Sequence, residues 1–170
     1  ETETGLDKNT IVILTSDHGY HLGEHGHWQK RTLFNHATRV PLIFSGPGIN
    51  NTKGDVNDPV ELIDIYPTIM DVLNMEAPKF LSGKSLKPYF LGDRNQIRNE
   101  ALTELRVWTP TGHAQGYSIK SKDYRFTKWL HNGFLDSELY DLKFDSAELN
   151  NLSKDISYQK IKDSLLEVIN

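Results

Sequence analysis

Asp17 and His18 stand side by side, and Lys30 follows shortly after them. A carboxylate oxygen beside an imidazole nitrogen can give two ligands to a divalent cation. Carboxylates favour hard ions such as Ca²⁺ or Mg²⁺, whereas imidazole also suits Zn²⁺. Two ligands do not complete a site, so the pattern calls for others from elsewhere. Lys30 adds a compact positive charge with three donors, suited to an anionic oxygen. Metal and lysine together are the equipment for stabilising charge on a transferring sulfuryl or phosphoryl group. His18, His21, His25 and His27 crowd into this glycine-rich stretch, four of the chain's seven histidines. A plainer reading also fits, in which Asp17 caps a turn and the histidines face solvent. Binding and catalytic residues collect on loops held by a rigid scaffold, which gives the chemical reading its weight. His21-Leu22-Gly23-Glu24-His25 also matches the His-x-x-Glu-His pattern of inverted zinc peptidases. That pattern works only on a helix, and Gly19, Gly23 and Gly26 oppose one.

The elements that must hold these residues lie on either side. Ile11-Val12-Ile13-Leu14 is short, β-branched and continuously apolar, and reads as a strand of a parallel sheet buried on both faces. Asp17 and His18 would then sit beyond its carboxyl end, where open α/β sheets bind ligands. Val40-Pro41-Leu42-Ile43-Phe44 reads as a second strand, with Pro41 at its start or edge because it has no N–H. Residues 31–39 read as a polar connection. Asp64 is a helix N-cap candidate with Pro67 in the first turn, and Ile65, Ile69, Val72 and Leu73 recur at helical spacing. Gly83-Lys84-Ser85 looks like the end of a phosphate-binding loop, but the earlier glycine and the preceding buried strand are missing.

The chain turns polar at 93–99, which divides it into an α/β part, 1–97, and a small α+β unit, 98–170. In the second unit four short strands are expected, at 100–107, 116–121, 124–129 and 135–142. Lys122-Asp123 is a two-residue hairpin turn between two of them. An amphipathic helix at 155–169 should cover one face of this antiparallel sheet. Arg106, Trp108, His113, Lys128, Trp129 and His131 could build a wall for a sugar, by stacking and by pairing with uronate or sulfate; Trp129 and Arg125 on a strand also suit a structural role.

The 170 residues suffice for one ordinary domain, with 37% hydrophobic and 25% charged residues. A net charge of −4 gives no support for a nucleic-acid partner. No apolar run nears the roughly 18 residues of a membrane span. Glu1-Thr2-Glu3-Thr4 has neither the basic region nor the apolar core of a signal peptide. With no cysteine there are no disulfides and no thiol nucleophile in this segment. Asn50-Asn51-Thr52 and Asn151-Leu152-Ser153 are glycosylation sequons, meaningful only in a eukaryotic secretory protein.

Ser16-Asp17-His18-Gly19, Leu22-Gly23-Glu24-His25-Gly26, Trp28, Lys30 and Val40-Pro41-Leu42-Ile43 resemble the second half of a type I sulfatase of the alkaline-phosphatase-like superfamily. The iduronate-2-sulfatases look closest, with choline sulfatases nearby. Many sulfatases carry Asp-Asn at the metal pair; this chain has the Asp-His of a subset. The likeness continues through 61–68 and resumes at 116–119, 123–126 and 138–141, so it covers most of the chain in order. It implies an α/β fold: the end of the central sulfatase sheet, then a small C-terminal antiparallel sheet with a packed helix. It implies hydrolysis of sulfate esters, in particular 2-O-sulfate on uronic acids of sulfated polysaccharides such as glycosaminoglycans. Asp17 and His18 would bind Ca²⁺ or another divalent cation, and Lys30 would be the catalytic residue on a sulfate oxygen. His25 and Trp28 would join Lys30 in binding substrate. The nucleophile of the family is a formylglycine made from Cys or Ser in Cys/Ser-x-Pro-Ser-Arg. That motif is absent here and is expected upstream with the remaining acidic metal ligands. The chain is thus expected to be the C-terminal portion of a longer, exported enzyme (periplasmic, extracellular or lysosomal), inactive without its N-terminal half. Where Asn35 stands, related sulfatases usually have an acidic residue. Two alternatives stay open: a phosphoesterase or phosphonate hydrolase of the same superfamily, and an inactive glycan-binding relic.

Overall fold

The computed structural model describes residues 3–49 and 55–169. In chain order its elements are β1 (Val12–Thr15), β2 (His21–Leu22), β3 (Trp28–Gln29), α1 (Asn35–Thr38), β4 (Leu42–Ser45), α2 (Ile65–Val72), α3 (Lys87–Phe90), β5 (Ala101–Thr109), β6 (Gly112–Lys120), β7 (Tyr124–His131), β8 (Phe134–Asp141) and α4 (Gln159–Ile169). They form two compact units, one of Glu1–Asp17 and Val40–Asn99, the other of His18–Arg39 and Glu100–Asn170. Residues 18–39 therefore group with the C-terminal sheet, although in sequence they lie between two strands of the first unit.

In the first unit β1 pairs with β4, antiparallel, with Leu14 opposite Ile43. The parallel neighbour expected of this strand is not among the described residues, where β4 is the one partner of β1 and runs antiparallel; Val12 and Leu14 are exposed in this portion of the protein. A β-branched run specifies an extended backbone, but not the direction of its neighbour or what covers it. Pro41 lies just before β4, where no ladder N–H is needed. The core gathers Leu86, Tyr89 and Phe90 against Leu42, Phe44, Val60, Val72 and Ile97. Helix α2 does not bury the stripe expected of it: Ile69 and Leu73 are exposed, and Pro67 and Thr68 are buried instead. Thr68 is fixed by polar contacts, donating to the Asp64 carbonyl at 2.6 Å and accepting from the Leu86 amide at 2.9 Å.

Asp64 stands at the N-cap of α2, yet its carboxylate does not cap that helix. It accepts from the amides of Glu61 at 2.9 Å and Lys84 at 2.7 Å, and it pairs with Arg98. Glu61 closes a reciprocal capping box over the 3-10 turn Leu62–Asp64. Glycine is required at position 83 because a Cβ there would lie 2.1 Å from the Ile63 carbonyl oxygen. The Gly83-Lys84-Ser85 loop thus spends its donors on this chain's own acids: the Lys84 amide on Asp64, and the Ser85 hydroxyl on Asp71 at 2.6 Å. It is not a phosphate cradle. Asp64→Asn removes the charge that faces Arg98, and unfolding free energy is expected to drop by about 1–3 kcal/mol in urea titrations of the full-length protein.

In the second unit β5, β6, β7 and β8 form a consecutive antiparallel sheet, close to the strands and the hairpin turn read from sequence. One face carries Ile119, Phe126 and Leu139, which pack with Leu165, Ile161, Leu166 and Ile169 of α4. Asp155 starts the helical segment by accepting from the Ser157 amide at 2.9 Å. The other face carries Gly116, Ser118, Arg125, Thr127, Trp129, Glu138 and Tyr140, set opposite one another by the register, and residues 18–39 lie over it. A Cβ on Gly116 would meet both the Trp129 ring and Leu33 at under 3 Å. The strand alternation also splits the expected sugar wall. Trp129 and His131 share one face, while Arg106, Trp108, His113 and Lys128 lie on the other.

The sequon at Asn50 lies outside the described residues. At Asn151 the side-chain oxygen accepts from the Leu139 and Ser153 amides. No helix among the described residues is long and apolar enough to cross a membrane.

Candidate functional site

Asp17 closes the chain stretch that follows β1, and it is exposed. His18 opens the second unit. Its Nδ1 lies 2.7 Å from the Gly19 carbonyl oxygen, which can only accept, so Nδ1 carries the proton. That tautomer leaves Nε2 as the ring's acceptor. Lys30 Nζ sits 2.6 Å from this same Nε2 and donates to it. The fold has therefore joined two of the residues singled out in sequence, a ligand-type imidazole and an ammonium. Gly19 makes this possible by lying tight on α1: its amide donates to the Ala37 carbonyl at 2.8 Å, and a Cβ would fall 2.0 Å from the His36 carbonyl oxygen.

Between His18 and Lys30 the chain forms a small hairpin. β2 pairs with β3, with His21 opposite Gln29 and Leu22 opposite Trp28. Its tip needs left-handed backbone at Gly23, His25 and Gly26, with φ of 126°, 56° and 70°. Glu24 holds the tip by accepting from the Leu22 amide at 2.7 Å, and that bond, more than any other contact, lowers its pKa. The register explains why Lys30 emerges beside His18: the hairpin returns the chain to its starting point.

His21 is the anchor of this hairpin. It is fully buried; Nδ1 donates to the Glu24 carbonyl at 3.2 Å and Nε2 accepts from the Thr32 hydroxyl at 2.7 Å. Both ring nitrogens are used within the chain, and the motif forms a strand and a 3-10 turn, Glu24–Gly26, broken by left-handed backbone at His25, rather than an α-helix, which removes the inverted zinc-peptidase reading. His25 stacks flat on Phe34, with ring centroids 3.9 Å apart and planes 4° from parallel. His36 lies 5.1 Å from His21 and 6.0 Å from His25. Trp28 is 68% exposed, its ring open to contact with another molecule. Of the sequence candidates, then, His18 and Lys30 meet, Trp28 stands open on the hairpin, and His25 is committed to a stack against Phe34. Among the described residues no group of three or more His, Asp or Glu side chains is arranged to hold a metal ion.

Burial pushes the His21 pKa below its ordinary value, and the neighbouring His36, His27 and His25 add to this. The folded state then binds that proton less readily than the unfolded chain. Stability carried by neutral His21 is complete above pH 6.5, the ordinary value, and is lost as pH falls below it. His21→Gln is expected to flatten the loss of stability between about pH 7 and 5, which thermal melts across that range would show.

Sequence reasoning missed the framework beneath the site. Arg125 is buried; its Nε pairs with Glu148, its Nη1 donates to Ser118 at 3.0 Å, and its Nη2 donates to Asn35 at 2.7 Å and Thr38 at 3.0 Å. Glu148 also accepts from the Asn35 amide at 2.7 Å. Glu148 thus sets a carboxylate beside Asn35. Nothing local marks Glu148 in sequence; it comes from a loop far along the chain and has a left-handed backbone, φ 58°. Tyr140 donates to Glu138 at 3.0 Å. Burial, then the Glu138 charge, pushes its pKa far up, so the phenol keeps its proton.

Comparison with known proteins places this geometry. Residues 23–170 match the family model described as N-sulphoglucosamine sulphohydrolase, C-terminal. An N-acetylglucosamine-6-O-sulfatase of Bacteroides thetaiotaomicron is 30% identical over 95% of the chain and 29% of its own length. A Delta 4,5-hexuronate-2-O-sulfatase of the same organism is 32% identical over 93% of the chain and 33% of its own length. A solved structure of a 2-O GAG sulfatase superposes with a TM-score of 0.86 at 30% identity, over 95% of this chain and 35% of that one. The chain thus spans about a third of the length of these relatives. Their range of substrates makes any special closeness to iduronate-2-sulfatase only approximate. The family match over most of the chain and the superposition over 95% of it lead to one conclusion: the chain belongs to the type I sulfatases, as the C-terminal portion that the N-sulphoglucosamine sulphohydrolase C-terminal family describes, with their alkaline-phosphatase-like α/β fold.

Proposed function

We propose that the protein containing this chain hydrolyses sulfate esters, and that its substrate is a 2-O-sulfated uronic acid within a sulfated polysaccharide. The observation that carries the reading is the Lys30 ammonium set 2.6 Å from His18 Nε2, directly after Asp17 in the chain. Lys30 would bind an oxygen of the sulfate and offset the charge that grows as the ester bond breaks. His18, its Nδ1 held by the Gly19 carbonyl, and Asp17 would hold a divalent cation, which would take Nε2 in place of Lys30 and release the ammonium to the sulfate. The carboxylate favours Ca²⁺, which when bound supplies further charge neutralisation at the sulfate oxygens. Trp28 would offer its exposed ring to the sugar, while His25, through its stack on Phe34, would keep the hairpin tip in shape. A formylglycine from another part of the protein would supply the nucleophile, and the family's export route would place the enzyme outside the cytoplasm. The choice of uronate 2-O-sulfate is supported by the names of the hexuronate-2-O-sulfatase and the 2-O GAG sulfatase among the relatives.

The test is sulfate release by the full-length protein, matured and supplied with Ca²⁺, from oligosaccharides sulfated at uronate 2-O, at glucosamine 6-O, or at neither. Release from the first alone supports the reading. Release from the 6-O substrate alone keeps the reaction and replaces the substrate. Release of phosphate from matched phosphate esters, with no sulfate released, replaces the reaction.

A further inference from the structure

The second unit contains a pocket of about 330 Å³ lined by His27, Arg31, Thr32, Leu33, Phe34, Val107, Trp129 and Glu138. That volume lies at the small end of ligand sites, about 300–1,000 Å³, which suits a single sugar ring. Its lining is mixed in a specific way. The Glu138 carboxylate is held from two sides, by the Trp129 indole N–H at 2.8 Å and the Tyr140 hydroxyl at 3.0 Å. Each of its oxygens keeps a second lone pair for a hydroxyl donor. With its N–H spent on Glu138, Trp129 offers the pocket an apolar ring. Phe34 adds another aromatic surface. Arg31 is exposed and donates to the Arg106 carbonyl at 3.2 Å through one Nη2 hydrogen; the rest of its fork is available for a planar or tetrahedral anion. His27 provides one more nitrogen at the rim.

We propose that this pocket is a saccharide subsite for an anionic ring, one bearing a carboxylate or sulfate group: the anion on Arg31 and His27, a hydroxyl on Glu138, and the ring against Trp129 and Phe34. Arg31 and Thr32 directly follow Lys30 in the chain, so the subsite and the proposed sulfate-binding lysine belong to one loop. The inference rests on the sulfatase reading only in taking its ligand from the sulfated polysaccharides. It goes beyond that reading in assigning a second place where the chain is gripped. A neutral carboxamide at 138 and an uncharged side chain at 31 should weaken the grip without disturbing the sheet, because Glu138 bonds to the side chains of Trp129 and Tyr140 and Arg31 gives up a single 3.2 Å bond to a carbonyl of the edge strand β5.

The experiment uses the full-length protein with Arg31→Ala and, separately, Glu138→Gln, each checked for an unchanged melting temperature. The kcat/KM ratio between a sulfated uronate oligosaccharide and a small aryl sulfate is measured for each. The expected result is a fall of about tenfold in that ratio, mostly through KM on the oligosaccharide, for loss of one charge-assisted contact (about 1.4 kcal/mol). Calorimetric titration with unsulfated uronate and with sulfated neutral oligosaccharides shows which anion Arg31 holds. A ratio and an oligosaccharide affinity unchanged in both variants overturn the proposal, as does an equal loss on both substrates. If the parent protein hydrolyses no sulfate ester, the function proposed above fails. The subsite is then still judged by whether Arg31→Ala weakens oligosaccharide binding about tenfold.

Discussion

Lys30→Ala in the full-length protein is expected to lower kcat on a sulfate ester by about a hundred- to thousand-fold. The hairpin sets the Lys30 ammonium 2.6 Å from His18 Nε2. Charge that develops in the transition state is what a preorganised cation stabilises, so its removal should act on turnover more than on substrate affinity. Lys30 is an exposed residue that follows β3, and substitutions at such positions shift stability by no more than about 0.5 kcal/mol. Turnover and folding are therefore separable here. Lys30→Arg is expected to restore only part of the rate, because a planar fork does not reproduce a compact charge. Steady-state kinetics beside a urea titration would decide the matter. Near-normal turnover in Lys30→Ala would remove the residue from the mechanism.

The second large effect concerns stability. Arg125→Ala is expected to cost about 3–5 kcal/mol of unfolding free energy, because it leaves the Glu148 carboxylate buried and unpaired. It also strips donors from Ser118, Asn35 and Thr38. Those partners lie on β6 and in α1, so one guanidinium ties residues 18–39 to the sheet. The double replacement Arg125→Met with Glu148→Leu should recover much of the loss, since an apolar pair leaves no uncompensated charge. Chemical denaturation of the full-length single and double variants tests this. A single variant within about 1 kcal/mol of the parent would mean that water, not Arg125, satisfies Glu148. The same network predicts that Arg125→Ala also lowers activity, as the segment carrying His18 and Lys30 loses its seat.

Much of the second unit is legible in the chain's local patterns. The strands between 101 and 141 follow from alternation, and the terminal helix from amphipathic spacing. The loop that holds Asp17, His18 and Lys30 stands out because glycine, histidine and lysine at this spacing are chemically conspicuous. The meeting of His18 with Lys30 is not readable in the same way. It depends on a hairpin whose tip needs left-handed backbone at His25, a residue that gives no warning of it. The burial of His21 and the stacking of His25 are equally hidden. Imidazoles look alike in sequence, and only packing separates the one beside Lys30 from the buried anchor His21.

Taken alone, the sequence shows the motifs that resemble the sulfatases, the strands β1 and β4 to β8, helices α2 and α4, and the residues able to do chemistry, but not the β2–β3 hairpin, α3, or α1 within the stretch 31–39 read as a polar connection. It does not give the direction of the β1 partner, the grouping of residues 18–39 with the C-terminal sheet, the Arg125–Glu148 pair beneath them, or the pocket between Arg31 and Glu138. Each of these joins residues far apart in sequence. Such pairings are selected by burial and hydrogen-bond satisfaction in the folded molecule rather than by any local preference of the chain.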